Sequence, residues 1–303
     1  MILIDNRGSR NPYVNLAIEE YLLRHVDTSA GQSYLHLYIN TPCIVLGKNQ
    51  SIYKEVNFEY LRNEQLQLAR RISGGGTVYQ DEGNLCFSFI TKHEDAHVNN
   101  YVWFNKPLMA ALQKAGVAAE MDERNSILCQ GKKISGNAQF TNRKNILSHG
   151  TLLFDAHLPT LRASLKVNDF EIETRAVSSV PKSVQNINQF TSRFNDIAEF
   201  RQYLIDELDA NSTHTFIDAE WQEIEQLAQD KFAQSTWIYG RTPLTTIRKS
   251  GLIITVEDGL VKEVAGGELE TLNILRGIPY QYKAIKKALS DVPNASEILK
   301  KVF

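Results

Sequence analysis

The sequence predicts an α+β fold, with a large domain followed by a small one. Apolar, strand-like runs recur and are turned at Asp, Asn and Gly-rich points, the pattern of mostly antiparallel pairing. Segments with a 3.6-residue apolar period supply helices to pack on one side of such a sheet. After Trp237-Ile238-Tyr239-Gly240-Arg241-Thr242-Pro243 the texture changes to a tight hairpin and a short helix, which places the division at 1–243 and 244–303. At 303 residues the chain is long enough for both units.

The elements follow in order. Residues 15–24 form an amphipathic helix, with Leu16, Ile18, Leu22 and Leu23 among Glu19, Glu20 and Arg24; the acidic pair is assigned to the helix surface or a pocket rim. Residues 34–39 and 43–46 are strands joined around Pro42, followed by the loop Gly47-Lys48-Asn49-Gln50. A short helix spans 56–64. A strand at 68–72 feeds a glycine-rich loop, and a strand at 85–91 leaves it. Residues 101–115 carry Val102, Phe104, Leu108 and Leu112 at core-facing helical spacing. Strands at 117–121 and 126–129 turn at Asp122-Glu123-Arg124-Asn125, and strands at 133–140 and 147–154 pair across Asn142-Arg143-Lys144-Asn145.

A short helix at 158–165 precedes a polar, irregular stretch, 166–190, read as a loop crossing the face of the site. Helices span 196–208 and 218–232; Asp218 is the candidate N-cap of the second, and Trp221, Ile224, Leu227 and Ala228 share one face. In the small unit, strands at 253–256 and 260–264 bracket Glu257-Asp258-Gly259, a hairpin signal, and a helix spans 280–289.

Between the strands lies Arg70-Arg71-Ile72-Ser73-Gly74-Gly75-Gly76-Thr77-Val78-Tyr79-Gln80-Asp81-Glu82-Gly83-Asn84. Glycines let backbone N–H groups approach an anion closely, and arginines offer planar, permanently charged forks to phosphate or carboxylate. An anion-holding loop is one reading; a tight hairpin with glycines at positive φ is the other. Neither common nucleotide-loop pattern fits.

Composition narrows the function classes. With 43% hydrophobic and 22% charged residues the chain has the make-up of an ordinary globular protein. A net charge of −2 implies no general attraction to nucleic acid or anionic membrane. No apolar run approaches the ~20 residues of a membrane span, and the first residues lack the pattern of a signal peptide. Cys43, Cys86 and Cys129 lack metal-ligand spacing and are odd in number, so no disulfide framework is expected and a reducing cytoplasm is the simplest compartment. Seven scattered histidines predict no zinc site.

A second block, Gly131-Lys132-Lys133-Ile134-Ser135-Gly136-Asn137-Ala138-Gln139, is followed by Ser148-His149-Gly150-Thr151-Leu152-Leu153-Phe154-Asp155. Taken with the glycine loop and with Asn15-Leu16-Ala17-Ile18-Glu19-Glu20, these blocks resemble the lipoate–protein ligase A family in order and spacing. The resemblance runs over nearly the whole chain, and the segment from about Leu244 resembles that family's small accessory domain. It implies a biotin/lipoate ligase-like catalytic domain at 1–243 and an accessory domain at 244–303. It implies an ATP-dependent, AMP-forming ligase of lipoate salvage, which makes lipoyl-AMP and passes the lipoyl group to a lysine of an acceptor. ATP with Mg²⁺, and lipoate, are then substrates, with no tightly bound prosthetic group. The implied acceptors are lipoyl domains of 2-oxoacid dehydrogenase acyltransferase subunits or the glycine cleavage H protein. No nucleic acid or membrane partner is implied, and a cytoplasmic monomer is expected.

The resemblance also implies roles. Gly74, Gly75, Gly76 and Thr77 cradle the adenylate phosphate, Arg71 points at phosphate or carboxylate, Val78 and Tyr79 flank the nucleotide, and Asn84 holds phosphate or metal-bound water. Lys133 follows the carboxylate oxygen from acid to anhydride, serving the ATP and lipoate sites alike without acting as a nucleophile. Lys132, its neighbour, is expected to point to the opposite side of the strand. Tyr38, Gly75 and His149 join the lipoate site. Taken singly, Tyr38 is also an ordinary strand aromatic, Lys133 a solvated lysine, and His149 a buried hydrogen-bonded histidine. Metal ligands are not identified; Asp81 and Glu82 are turn residues with a possible metal-side role. The chain departs from the family pattern at Gln80, where many members carry histidine, and at Gln139-Phe140, with Arg143 placed to supply a nearby charge.

An acyltransferase on the same fold, moving octanoyl or lipoyl groups between carriers through a cysteine thioester, is the alternative. Cys129 stands four residues before Lys133, yet all three cysteines sit in apolar strand runs and read as core. A biotin ligase and a non-catalytic lipoate-binding protein are further readings; neither matches the loop and Lys133 together.

Overall fold

The computed structural model describes residues 1–165, 170–266 and 270–303. Its strands are β1 (Ile2–Asp5), β2 (Tyr34–Tyr38), β3 (Cys43–Leu46), β4 (Gln67–Arg70), β5 (Val78–Gln80), β6 (Asn84–Lys92), β7 (Ala119–Met121), β8 (Ile127–Cys129), β9 (Lys132–Thr141), β10 (Asn145–Leu153), β11 (Glu171–Thr174), β12 (Ser212–Thr215), β13 (Thr245–Lys249), β14 (Leu252–Glu257) and β15 (Leu260–Ala265). The main sheet has the order β12-β1-β2-β6-β10-β9-β8-β7. The β12–β1 and β1–β2 joints are parallel and the rest antiparallel, a mixed sheet in an α+β fold. A three-stranded sheet β4-β3-β5 and an antiparallel sheet β11-β13-β14-β15 complete the architecture. Among the described residues no helix is long and apolar enough to cross a membrane.

The main sheet separates two apolar layers, and alternation along β6 shows why. Leu85, Phe87 and Phe89 face the helices Tyr101–Lys114 and Ile197–Glu207, against Phe104, Leu108, Phe200 and Leu204. Ile90 faces the other way, into the layer built on α1 (Pro12–His25). Each such buried side chain contributes roughly 1.5–3 kcal/mol. Asn11 starts α1 by accepting the Tyr13 N–H at 2.9 Å, and Pro12 sits in the first turn, where its missing donor costs nothing.

Several expectations are corrected. Strands β2 and β3 are joined around Pro42 as expected, the first ending at Tyr38 and not at Ile39, and they enter different sheets. The chain leaves the glycine loop through β5, paired with β3, before β6 begins. The helix expected at 56–64 is Phe58–Asn63, capped by Asn57 and preceded by a separate turn, Ile52–Glu55. Val102 is 60% exposed, so only Phe104, Leu108 and Leu112 of its expected stripe enter the core. Asp218 is the first helical residue, not the cap; Glu220 accepts the Ile217 N–H and Asp218 pairs with Arg7. That helix ends at Leu227 and passes into a wider π turn, Ala228–Phe232. The stretch 166–190 contains β11, and its residues 166–169 lie outside the described residues. β11 pairs with β13, so the C-terminal sheet takes a strand from well before residue 244. The Asp258-Gly259 turn has both residues at positive φ, 52° and 77°, as a two-residue hairpin requires.

Arg70 staples these parts together. It is fully buried, yet all its described partners are neutral oxygens. Nε donates to Ile238 O at 2.7 Å, Nη1 to Gly47 O at 2.8 Å and Gln50 O at 2.9 Å, and Nη2 to Thr242 Oγ1 at 3.3 Å. Burial, and then the Arg71 charge, pull its pKa down to about 10, which leaves it charged at neutral pH. We expect Arg70→Lys to destabilise the protein by at least about 2 kcal/mol in urea denaturation, because a point ammonium cannot reach carbonyls on both sides. A loss under about 0.5 kcal/mol, the scatter of neutral surface changes, would mean that this guanidinium is not what joins the two segments.

Candidate active site

Three loops converge at the end of β4. Lys48 N donates to Ser73 O at 2.8 Å, which lays the 47–50 loop along the glycine loop. Gln50 ties both to the 177–180 segment: its Oε1 accepts from Gly47 N (3.0 Å) and Thr77 Oγ1 (2.8 Å), and its Nε2 donates to Ser179 Oγ (3.1 Å). Ser179 Oγ also accepts from Thr77 N at 2.9 Å, and Glu55 takes the Ser179 N–H and hydroxyl. The 177–180 segment therefore crosses the glycine loop.

Arg71 is turned into this loop. Its Nε donates to Ser73 Oγ (3.0 Å), Nη1 to Val45 O (3.2 Å), and Nη2 to Gly74 O (2.6 Å) and Gly76 O (2.8 Å). Burial pulls its pKa down to about 10, still a cation at neutral pH. Gly75 has φ +87°, a region L side chains rarely adopt, and a Cβ there would lie 2.9 Å from Arg71 Nη2. A Cβ on Gly47 would lie 2.1 Å from Gly75 O.

Two adjoining cavities open beside the loop. The first, about 240 Å³, is lined by apolar and aromatic residues such as Leu16, Tyr38, Val45, His149 and Ala138, by Lys133, Arg124, Ser126 and Lys182, and by Arg71 with residues 75–78. The second, about 330 Å³ and more apolar, is lined by Tyr79, Leu153, Leu161, Val180 and Val184. Thr77, Val78, Lys133, Gly136 and Thr151 border both. Lys133 is fixed through its backbone, donating to Ser183 O (2.9 Å) and accepting from Gln185 N (3.1 Å). Burial, then the Lys182 charge, lower its pKa, with Asp122 opposing. Lys182 itself is held by Asp122. Lys132 faces solvent and donates to Ser183 Oγ at 3.0 Å.

Behind the first cavity lies a buried polar network that the sequence reading missed. Glu19, expected on the helix surface or at a rim, is fully buried. It accepts from His149 Nδ1 (2.9 Å), Tyr38 OH (3.0 Å) and the Ser88 hydroxyl. His149 Nε2 lies 2.6 Å from Ser73 Oγ. Glu20 is buried too, paired with Lys231 at 2.5 Å and with Arg24. The missed signal is spacing: Glu19 stands three residues from Leu16 and from Leu22, on the helix face those leucines bury.

Most of the other singled-out residues fall outside both cavities. Asn84 is fully buried, with Nδ2 3.2 Å from Cys86 Sγ. Gly74 is open to solvent at the loop's outer edge. Asp81 spends its oxygens on backbone N–H groups, of Gly83 (3.0 Å) and His157 (2.8 Å). Arg143 sits at φ 70° in the exposed β9–β10 turn. Gln80 lines the first cavity and accepts from Asn40 at 2.7 Å; Gln139 accepts from Asn99 N at 2.5 Å. All three cysteines are buried, and burial pushes each thiol up, Cys86 furthest from reactivity along with Cys43.

Residues 11–209 match the family model of the lipoyl protein ligase A/B catalytic domain. The lipoate-protein ligase LplJ of Bacillus subtilis is 38% identical over 280 residues, covering 90% of this chain and 84% of that protein. A crystal structure of lipoate-protein ligase A bound with ATP superposes with a TM-score of 0.65 at 24% identity, covering 78% of this chain and 96% of that one. LipL1 of P. falciparum, in complex with lipoate, superposes with a TM-score of 0.64 at 21% identity, covering 100% of this chain and 97% of that one. The last two are likenesses of fold.

The glycines around the loop differ in what they tolerate. Gly74→Ala adds a methyl to open space, and thermal unfolding should stay within about 0.5 kcal/mol of wild type. Gly47→Ala drives a methyl into the Gly75 carbonyl, and Gly75→Ala adds strain at positive φ; each should cost about 1–3 kcal/mol. Equal effects at Gly47 and Gly74 would show that the two loops do not meet as described.

Proposed function

The chain belongs to the lipoyl protein ligase A/B catalytic family, and from that membership we propose that it is an ATP-dependent lipoate–protein ligase. One observation carries the assignment of the site: Lys133 borders two cavities of different character that meet at the glycine loop. Making an acyl-adenylate needs two substrates joined at one point. The lipoate carboxylate attacks the α-phosphorus of ATP and pyrophosphate leaves. The amine of an acceptor lysine then attacks the acyl carbon of the mixed anhydride, AMP leaves, and an amide is formed.

In this reading the cavity of Leu16, Tyr38, Val45 and His149 takes the lipoyl chain, and the cavity of Tyr79, Leu153 and Leu161 takes the nucleoside. Thr77 and Gly136, at the shared wall, flank the anhydride. Lys133 follows the oxygens through both steps as an electrostatic anchor, the role for which a flexible ammonium is suited. The guanidinium of Arg71, bonded into the loop, acts by shaping the 74–77 backbone that faces phosphate. Mg²⁺ enters with ATP, phosphate and water being the usual shell of this ion. The acceptor is a lipoyl domain of a 2-oxoacid dehydrogenase acyltransferase or the glycine cleavage H protein, and the protein works as a monomer in the cytoplasm. Residues 1–243 form the catalytic unit and 244–303 the accessory one, which borrows β11 as an edge strand.

The buried, hard-to-ionise thiols favour this reading over the cysteine acyltransferase, which needs a thiolate beside the lysine. Adding ATP and lipoate to the protein should release pyrophosphate, and adding a lipoyl domain should give its lipoylated form. Lys133→Met should slow both half-reactions at least ~100-fold, with Lys132→Met nearly silent; equal losses would remove Lys133 from the site. The triple replacement of Cys43, Cys86 and Cys129 by alanine should keep ATP-dependent activity at low temperature, despite about 1 kcal/mol lost per small cavity. A hydroxylamine-sensitive acyl group on Cys129, with turnover that needs no ATP, would establish the transferase instead.

A further inference from the structure

A chain of hydrogen bonds runs from the glycine loop to the middle of α1, and every link donates in the same direction. Arg71 Nε donates to Ser73 Oγ at 3.0 Å, Ser73 Oγ lies 2.6 Å from His149 Nε2, and His149 Nδ1 lies 2.9 and 3.0 Å from the two Glu19 oxygens. The direction is set at one end. A carboxylate only accepts, so Nδ1 carries a proton, and in the neutral imidazole that is the only ring N–H. Nε2 is then an acceptor, and the Ser73 hydroxyl donates to it. The serine oxygen is left facing Arg71, to which it offers a lone pair. At the far end Arg71 grips the carbonyls of Gly74 and Gly76 and sets the loop's shape.

Glu19 itself lines neither cavity and is fully buried. Burial opposes its ionisation, but its contact with His149 and the hydrogen bond from the Ser88 hydroxyl outweigh it and hold the carboxyl below its ordinary range. Tyr38 OH and Ser88 also donate to it, so three donors converge on an acceptor-only group.

We infer that Glu19 is a positioning residue for the glycine loop: by fixing the His149 tautomer and the Ser73 hydroxyl, it orients Arg71 and through it the 74–77 backbone. Its effect is felt at the nucleotide side although it lies behind the lipoyl side, which rests on the assignment of the two cavities made above. A glutamine in its place has one accepting oxygen for three donors and presents N–H groups of its own. Facing an amide N–H, the imidazole moves its proton to Nε2 and donates to Ser73, turning the hydroxyl proton toward Arg71. Glu19→Asp keeps an acceptor-only group and restores the direction.

The test has two arms on the full chain. In the ligand-free protein, hydrogen exchange of the 72–78 amides should quicken about tenfold in Glu19→Gln, roughly what one lost hydrogen bond is worth, with β6 and β10 unchanged and Glu19→Asp close to wild type. Nitrogen NMR should show His149 protonated on Nδ1 in wild type and on Nε2 in Glu19→Gln. Ser73→Ala cuts the chain at its middle without touching the buried charge, and should loosen the same amides; it decides the matter if Glu19→Gln does not fold. In the second arm, kcat/KM for ATP in adenylate formation should fall about tenfold, with partial rescue by Glu19→Asp. Unchanged loop exchange in both Glu19→Gln and Ser73→Ala overturns the inference, whatever happens to activity. So does a change confined to the KM for lipoate. Loosened amides in a protein whose wild type makes no adenylate would sink the ligase reading and leave the positioning role standing.

Discussion

Two buried guanidinium groups on consecutive residues organise this molecule. Arg70 ends β4, Arg71 follows it, and the two side chains reach different sets of partners. Neither is neutralised mainly by a carboxylate at contact distance; both are wrapped by carbonyl and hydroxyl oxygens. A buried cation is expensive unless every N–H is used, which forces the surrounding backbone to turn its oxygens inward. Arg70 thereby pulls the 47–50 loop and the 238–242 segment onto one point. Arg71 folds the next five residues around itself. The cavities owe their walls to this pair, since the 47–50 loop and the glycine loop lean on each other.

Much of the fold was legible in the sequence because it depends on short-range pattern. Alternation found β9 and β10, the 3.6-residue period found the long helices, and Asp258-Gly259 marked its hairpin. What failed depends on partners far along the chain. Nothing near β1 announces that it pairs in parallel with β12 some two hundred residues later. Glu19 looked like surface because glutamate is charged, and its partners His149 and Ser88 come from two distant strands. Of the site, the loop, Tyr38, His149 and Lys133 were visible as motifs, and they do converge. Asn84 was named on the same grounds and lies apart, beside Cys86. Gln50 and Ser179, which knit the loops together, carry no signal of their own: one glutamine and one serine in polar stretches look like any others.

The site stores its chemistry in geometry more than in reactive groups. The cysteines are protonated and enclosed, and Asp81 is committed to backbone N–H groups. Lys133, with Lys182 near it, is left beside the shared wall of the cavities. Such a site fits a reaction in which the substrates bring their own nucleophiles and leaving groups, and the protein supplies alignment and positive potential.

The contact between Gly47 and Gly75 has a consequence for how this enzyme can change over time. The two loops touch backbone to backbone, so neither has a side chain there to be trimmed or enlarged. Most contacts between segments drift by compensating pairs of substitutions. This one has no neutral neighbours in sequence space, because a single methyl on Gly47 meets the facing carbonyl at once. Variation in what the pocket accepts is therefore channelled to the lateral walls, to positions such as Leu16, Tyr38 and Val45, while the loop beside them stays insulated from drift.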